Sequence, residues 1–140
     1  FGKKAYPHFI RLKDREAFAL AALWEEWTDR ESNMLWRTFS IVTTEANALM
    51  RRIHNKPGSE GPRMPLILAE GEEEQWLAPL HSTHGEAALK ALIKPFPEEA
   101  MQAWSVKPLL GKEGKGNRAG ASDEFDYPEL ALAGPLAHGG

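Results

Sequence analysis

Cysteine is absent from all 140 residues. Disulfides, thiolate metal sites and a cysteine nucleophile are therefore excluded within this stretch, and the absence fits a reducing compartment. No apolar run approaches the ~20 residues needed to span a bilayer, so no membrane contact is expected. No signal-peptide pattern follows Phe1, and a first residue other than Met points to processing or to a start inside a longer protein. Internal repeats and low-complexity tracts are also missing. The net charge of −3 removes any general attraction of the whole chain to nucleic acid.

What is present suits one soluble globular domain, or a large part of one: 42% hydrophobic and 26% charged residues, with five Trp and six Phe to build a core. The charge is uneven. Between Arg51 and Arg63, Arg51, Arg52, Lys56 and Arg63 face a single acid, Glu60. Between Trp104 and Arg118, Lys107, Lys112, Lys115 and Arg118 face only Glu113. Acids gather in "EGEEE" and "SDEFDYPE". Composition leaves open both a local phosphate-binding face and scattered solvated charge.

The pattern predicts strands over Ala5–Leu12, Trp36–Thr44, "MPLIL" and "MQAWSVKPLL". Ala17–Trp27 fits helix by its alanines or a second strand by position. A helix is predicted over Thr44–Ile53, with Thr44 as N-cap, and another over His84–Pro95. "EGEEEQWLAPL" reads as a short helix with an acidic first turn. The tail "DYPELAL" is expected to pack through Tyr127 and Leu130. Strands and helices without regular alternation indicate an α+β fold.

His54 lies between a predicted helix and a turn-rich loop. Histidine can give and take a proton near neutral pH, and the cations around it favour a phosphate or oxyanion. The residue types alone fit an anion-binding active-site loop and also an ordinary solvated loop. In "TTEAN", Thr43 to Asn47 place hydroxyls, a carboxylate and an amide at a strand-to-helix junction, where capping and phosphate binding both remain open. His81 and His84 in "HSTH" have metal-ligand spacing but no evident third ligand, so a surface loop is the reading and no metal is expected. "GKEGKGN" fails the phosphate-loop pattern because Asn117, not Lys, follows Gly116. Glu25 and Glu26 in "LWEEW" point to opposite sides and form no catalytic pair; Trp24 and Trp27 read as core or edge packing.

Taken in order, "YPHFIRL", "FALAALWEEW", "FSIVTTEANALMRRIH", "RMPLIL", "EEEQWLAP" and "DYPELAL" resemble the C-terminal portion of the SOS-response-associated peptidase (SRAP) family. The most specific stretch runs from Thr43 to Leu68. The resemblance implies an α+β domain with a mixed, partly barrel-like sheet and short flanking helices, of which residues 1–140 would be the C-terminal part. Such proteins sense abasic sites in single-stranded DNA and join them covalently. A cysteine exposed by removal of the initiator Met condenses with the sugar aldehyde and closes a thiazolidine, aided by an asparagine, a glutamate and a histidine. By this resemblance His54 would be the catalytic histidine, and Thr43, Asn47, Arg63 and Lys107 would contact DNA, with no cofactor. A cytoplasmic protein, gathered on the nucleoid during DNA damage, is implied.

Departures from the family pattern are specific. The N-terminal cysteine, the "NAR"-type asparagine and the "GF.EW" glutamate are absent; all three normally precede the "YPHFI" strand. The loop between His54 and Arg63 is longer than in the short "IHDRMP" form, and Val106–Lys107 replaces a polar "VS" dipeptide. A chain with these absences is expected to leave strand edges unpaired and apolar faces exposed, and to fold poorly unless another segment completes the sheet. The alternatives are a non-catalytic module binding single-stranded nucleic acid, or an interaction module without a DNA role.

Overall fold

The computed structural model describes residues 5–54, 61–79, 83–111, 114, 116 and 118–131. It resolves into two units, Ala17–Glu98 and the pairing of Phe1–Glu16 with Glu99–Gly140.

In the unit formed by the two ends, β1 (His8–Leu12) pairs antiparallel with β6 (Met101–Ser105) in a register running from His8↔Ser105 to Leu12↔Met101. Side chains alternate across a strand, so Leu12 and Met101 share one face and are buried. Phe9 and Trp104 meet on the other, with ring centroids 5.2 Å apart. Past β6, Phe125 N–H donates to the Ser105 carbonyl (2.8 Å) and brings the tail alongside. Tyr127 then packs edge-on against Tyr6 and Phe125, and its hydroxyl donates to the Val106 carbonyl (2.9 Å). Tail packing through Tyr127 is thus observed, with Leu130 half-buried. A single turn, α4 (Pro128–Ala131), follows; proline suits a first helical position because its missing N–H would have no partner there.

The second unit resolves the ambiguous Ala17–Trp27 segment as strand. β2 (Ala22–Thr28) pairs with β3 (Leu35–Ile41) in a hairpin. Its turn is held by Asp29, whose carboxylate accepts from Glu31 N–H and Ser32 Oγ, and by Asn33 at φ 54°, a conformation asparagine tolerates. Pairing overrode the helix propensity of the alanines. The strand predicted to reach Thr44 breaks at Val42, and β4 (Thr43–Glu45) is a separate piece paired with β5 (Arg63–Pro65). Val42, Ala21 and Leu66 knit the break together: Val42 N–H donates to Ala21, Ala21 N–H to Leu66, and Leu66 N–H to Val42, each at 2.9 Å. Around this knot Ala21, Leu66 and Leu68 form the core, covered by Ala19, Val42 and Trp76.

Thr44 is not a cap. It sits buried in β4, and α1 begins later, at Ala48–Ile53, capped by Asn47. The reason is pairing: Thr44 is committed to Met64 in the ladder, which leaves the first residue beyond the strand with a short amide to take the cap. The acidic first turn expected for the "EEEQ" stretch is present in α2 (Glu72–Leu77), and α3 (Thr83–Leu92) ends three residues before Pro95. The architecture is α+β, built from three two-stranded antiparallel sheets; among the described residues none closes into a barrel. No helix of the described residues is long and apolar enough to cross a membrane.

Candidate functional site

Strand alternation decides which residues face outward on the β4–β5 pair. Thr44 and Met64 oppose each other and point into the core, so Thr43, Glu45 and Arg63 share the exposed face. Arg63 reaches diagonally along this face: its Nε donates to Thr43 Oγ1 (3.0 Å) and its Nη2 to the Thr43 carbonyl (2.7 Å). Arginine carries further N–H donors beyond these two, and no carboxylate among the described residues pairs with it. Thr43 Oγ1 accepts from Arg63, so its own O–H is left to donate outward.

His54 is the C-cap of α1, its N–H donating to the Met50 carbonyl (2.7 Å). Backbone bonds from Ala46 to Pro62 and from Leu66 to Val42 leave the Arg63 carbonyl on the outer edge of β5. His54 Nδ1 lies 3.0 Å from that carbonyl. A carbonyl can only accept, so Nδ1 carries the proton and Nε2 of the neutral ring holds the free lone pair. The ring is solvent-exposed, and Nε2 has no partner among the described residues. A base, a guanidinium and a hydroxyl are thereby collected on one strand pair and the end of one helix.

Asn47 stands at the other end of α1. Its Oδ1 accepts from Met50 N–H (2.9 Å) and its Nδ2 donates to the Phe96 carbonyl (2.7 Å). Glu98 completes the cap by accepting from Leu49 N–H (2.9 Å). The visible work of Asn47 is therefore to hold α1, and through it His54. Lys107 lies in the other unit, exposed, with its ammonium 5.1 Å from the Phe125 ring centroid. Lys56, Lys112, Lys115, His81 and the side chain of His84 lie outside the described residues. Among the described residues no three His, Asp or Glu side chains gather to hold a metal.

Arg51 is a residue whose local work the sequence did not disclose. Its Nε donates to the Ala46 carbonyl (2.8 Å), and its Nη2 approaches Glu45 Oε2 at 3.9 Å. It braces the end of β4 and partly offsets the one carboxylate that shares a face with Arg63. The only advance signal was the helical spacing that turns position 51 back towards the strand end.

The fold and this surface define a small α+β module with an imidazole, a guanidinium and a hydroxyl on one strand pair and the adjoining helix end. The chain belongs to the SOS response associated peptidase (SRAP) family, whose model matches residues 1–113. It is 36% identical over 108 residues to the abasic site processing protein YoqW of Bacillus subtilis (strain 168), covering 77% of this chain and 44% of that protein. Against the abasic site processing protein YoaM of the same organism it is 35% identical over 125 residues, 89% of this chain and 50% of YoaM. A crystal structure of a protein from Bacteroides thetaiotaomicron matches with a TM-score of 0.76 and 32% identity, over 90% of this chain and 51% of that one. The chain spans about half the length of the curated relatives it matches.

Proposed function

We propose that the exposed β4–β5 face holds a single DNA strand at an abasic site, with His54 as the proton-exchanging group. Nε2 takes the proton of the sugar's anomeric hydroxyl and passes it to the ring oxygen as the ring opens to its aldehyde; when an amine condenses there, it carries a proton from the nitrogen to the oxygen that departs as water. Arg63 and Thr43 grip a backbone phosphate, the guanidinium by charge and fork, the hydroxyl as a donor. Asn47 contributes chiefly by fixing α1, and Lys107, in the other unit, is a separate candidate for contact with DNA. The relatives named as abasic site processing proteins support this reading.

The attacking group comes from outside these residues. Amine addition to the aldehyde releases water and leaves an imine; thiol addition to the imine carbon closes a thiazolidine. Both groups belong to an N-terminal cysteine bared by removal of an initiator Met, and this stretch contains no thiol. By itself it forms no thiazolidine, and its share of the work is recognition and proton transfer. A cytoplasmic protein recruited to damaged nucleoid fits such a task.

The observation that carries the proposal is the contact of His54 Nδ1 with the Arg63 carbonyl, which leaves Nε2 unpartnered among the described residues on a helix end tied to the strand that bears Arg63. Fluorescence anisotropy tests it, using one labelled strand with and without an abasic site. Tighter binding to the abasic strand is expected. Equal affinity for both strands favours a non-catalytic single-strand module instead, and no binding to either would leave only an interaction module.

A further inference from the structure

Glu45 and Arg63 stand directly opposite each other in the β4–β5 register, on the same exposed face. Opposite charges so placed ordinarily attract across the strands. Here no ion pair joins them. Arg63 turns along the face to Thr43, donating from Nε to Oγ1 (3.0 Å) and from Nη2 to the carbonyl (2.7 Å). Glu45 leans the other way, towards Arg51, whose Nη2 lies 3.9 Å from its Oε2. Arg51 is itself anchored, because its Nε donates to the Ala46 carbonyl (2.8 Å), one residue beyond Glu45. It also rises from a fixed base: α1 buries the neighbouring Met50 and is capped by Asn47. The Arg51 and Glu45 side chains are 56% and 78% exposed, and their separation exceeds a hydrogen bond. Such a pair adds little to stability. What it decides is where the carboxylate sits.

We propose that Arg51 is a positioning residue: by holding Glu45 at the Ala46 end of β4, it keeps the Arg63 guanidinium open to a DNA phosphate. Carboxylate and phosphate offer a guanidinium the same paired oxygens, so they compete for the same N–H donors. The competitor is unusually well placed. Glu45 is tethered across the ladder from Arg63, which gives it a high effective concentration there that a passing strand must overcome. Arg51 offsets that advantage with a second cation on the far side of the carboxylate. It touches no DNA itself and acts through Glu45 alone. The inference rests on the reading that Arg63 holds a phosphate, whereas the restraint of Glu45 by Arg51 stands apart from it.

A double-mutant cycle tests this, with the parent chain, Arg51→Gln, Glu45→Gln and the double variant. Anisotropy with an abasic single strand at low salt should show Arg51→Gln binding about threefold more weakly, the size of one exposed cross-strand charge pair. Glu45→Gln should bind no more weakly than the parent, and the double variant should match Glu45→Gln. Glutamine at position 51 gives up the bond to Ala46 in both backgrounds, so the recovery isolates the charge. Arg51→Lys, which keeps the charge, should recover most of the affinity. The same chains without DNA give a second readout: the Arg63 Nε–H resonance should move in Arg51→Gln and return in the double variant. A loss that persists in the double variant would overturn the proposal, since Arg51 would then touch the strand or act through α1. Weaker binding by Glu45→Gln, or an Arg63 resonance indifferent to Arg51→Gln, would overturn it too. A parent chain that binds neither an abasic nor an intact strand would sink the DNA reading; the Arg63 resonance would still decide whether Arg51 keeps the guanidinium open.

Discussion

Replacing Arg63 by alanine separates its structural work from its proposed work on DNA. In the fold it loses the two hydrogen bonds to Thr43 at an exposed strand pair. Exposed bonds of this kind contribute about 0.5–1 kcal/mol each, so the local cost is about 1–2 kcal/mol. The β4–β5 backbone ladder and the carbonyl that orients His54 survive, because neither uses the side chain. On single-stranded DNA the loss of one phosphate contact lowers the slope of log affinity against log salt by about 0.7. Over a fourfold rise in salt, the advantage of the parent chain should therefore shrink by about 2.6-fold from an initial gap of about tenfold, or ~1.4 kcal/mol. Anisotropy titrations at several salt concentrations measure this directly. Arg63→Lys, which keeps the charge without the fork, should restore the slope while leaving part of the affinity lost. Parallel salt lines for parent and alanine variant would refute the phosphate contact.

Other outcomes follow from the same geometry. Asn47→Ala should destabilise α1 by about 1–2 kcal/mol, seen as faster exchange at Met50 and Arg51, whereas Asn47→Asp keeps the cap acceptor and should lose less. The hydrogen bond from Lys94 holds the Glu72 carboxyl below the usual carboxylate range, with help from Ala69 N–H. A depressed folded value means this stabilisation is complete above the unfolded value and disappears as pH falls through the folded one. Acid unfolding of Lys94→Met should be correspondingly less steep in that window. With both faces of its hairpin wet, the isolated chain should melt at low temperature and broadly; a monomer melting sharply at high temperature would contradict this.

Much of the architecture was legible because it rests on local signals. The β-branched run ending at Thr44 and the start of "MPLIL" marked strands, although β5 ends at Pro65 with only an isolated bridge beyond it at Ile67, and the glutamates before Trp76 marked a helix start. What was not legible depended on partners distant in sequence. Thr44 looks like a cap until Met64 claims it for the ladder, and Ala17–Trp27 looks helical until β3 pairs with it. Trp24 and Trp27, expected to pack in a core or at an edge, stand exposed instead, because within the described residues little lies over the hairpin. In the site, the neighbourhood of His54 and Arg63 followed from a short stretch of sequence and from family resemblance. The tautomer did not: it depends on one strand carbonyl facing outward, which only the register fixes.

That tautomer and its target give the most direct measurement. Long-range nitrogen-15 spectra of the chain should show His54 protonated on Nδ1, with Nε2 shifting when an abasic single strand is added and far less with the intact strand. A ring protonated on Nε2 in the free chain, or an Nε2 signal that does not distinguish the two strands, would contradict the assignment of His54 as the proton-exchanging group at the abasic sugar.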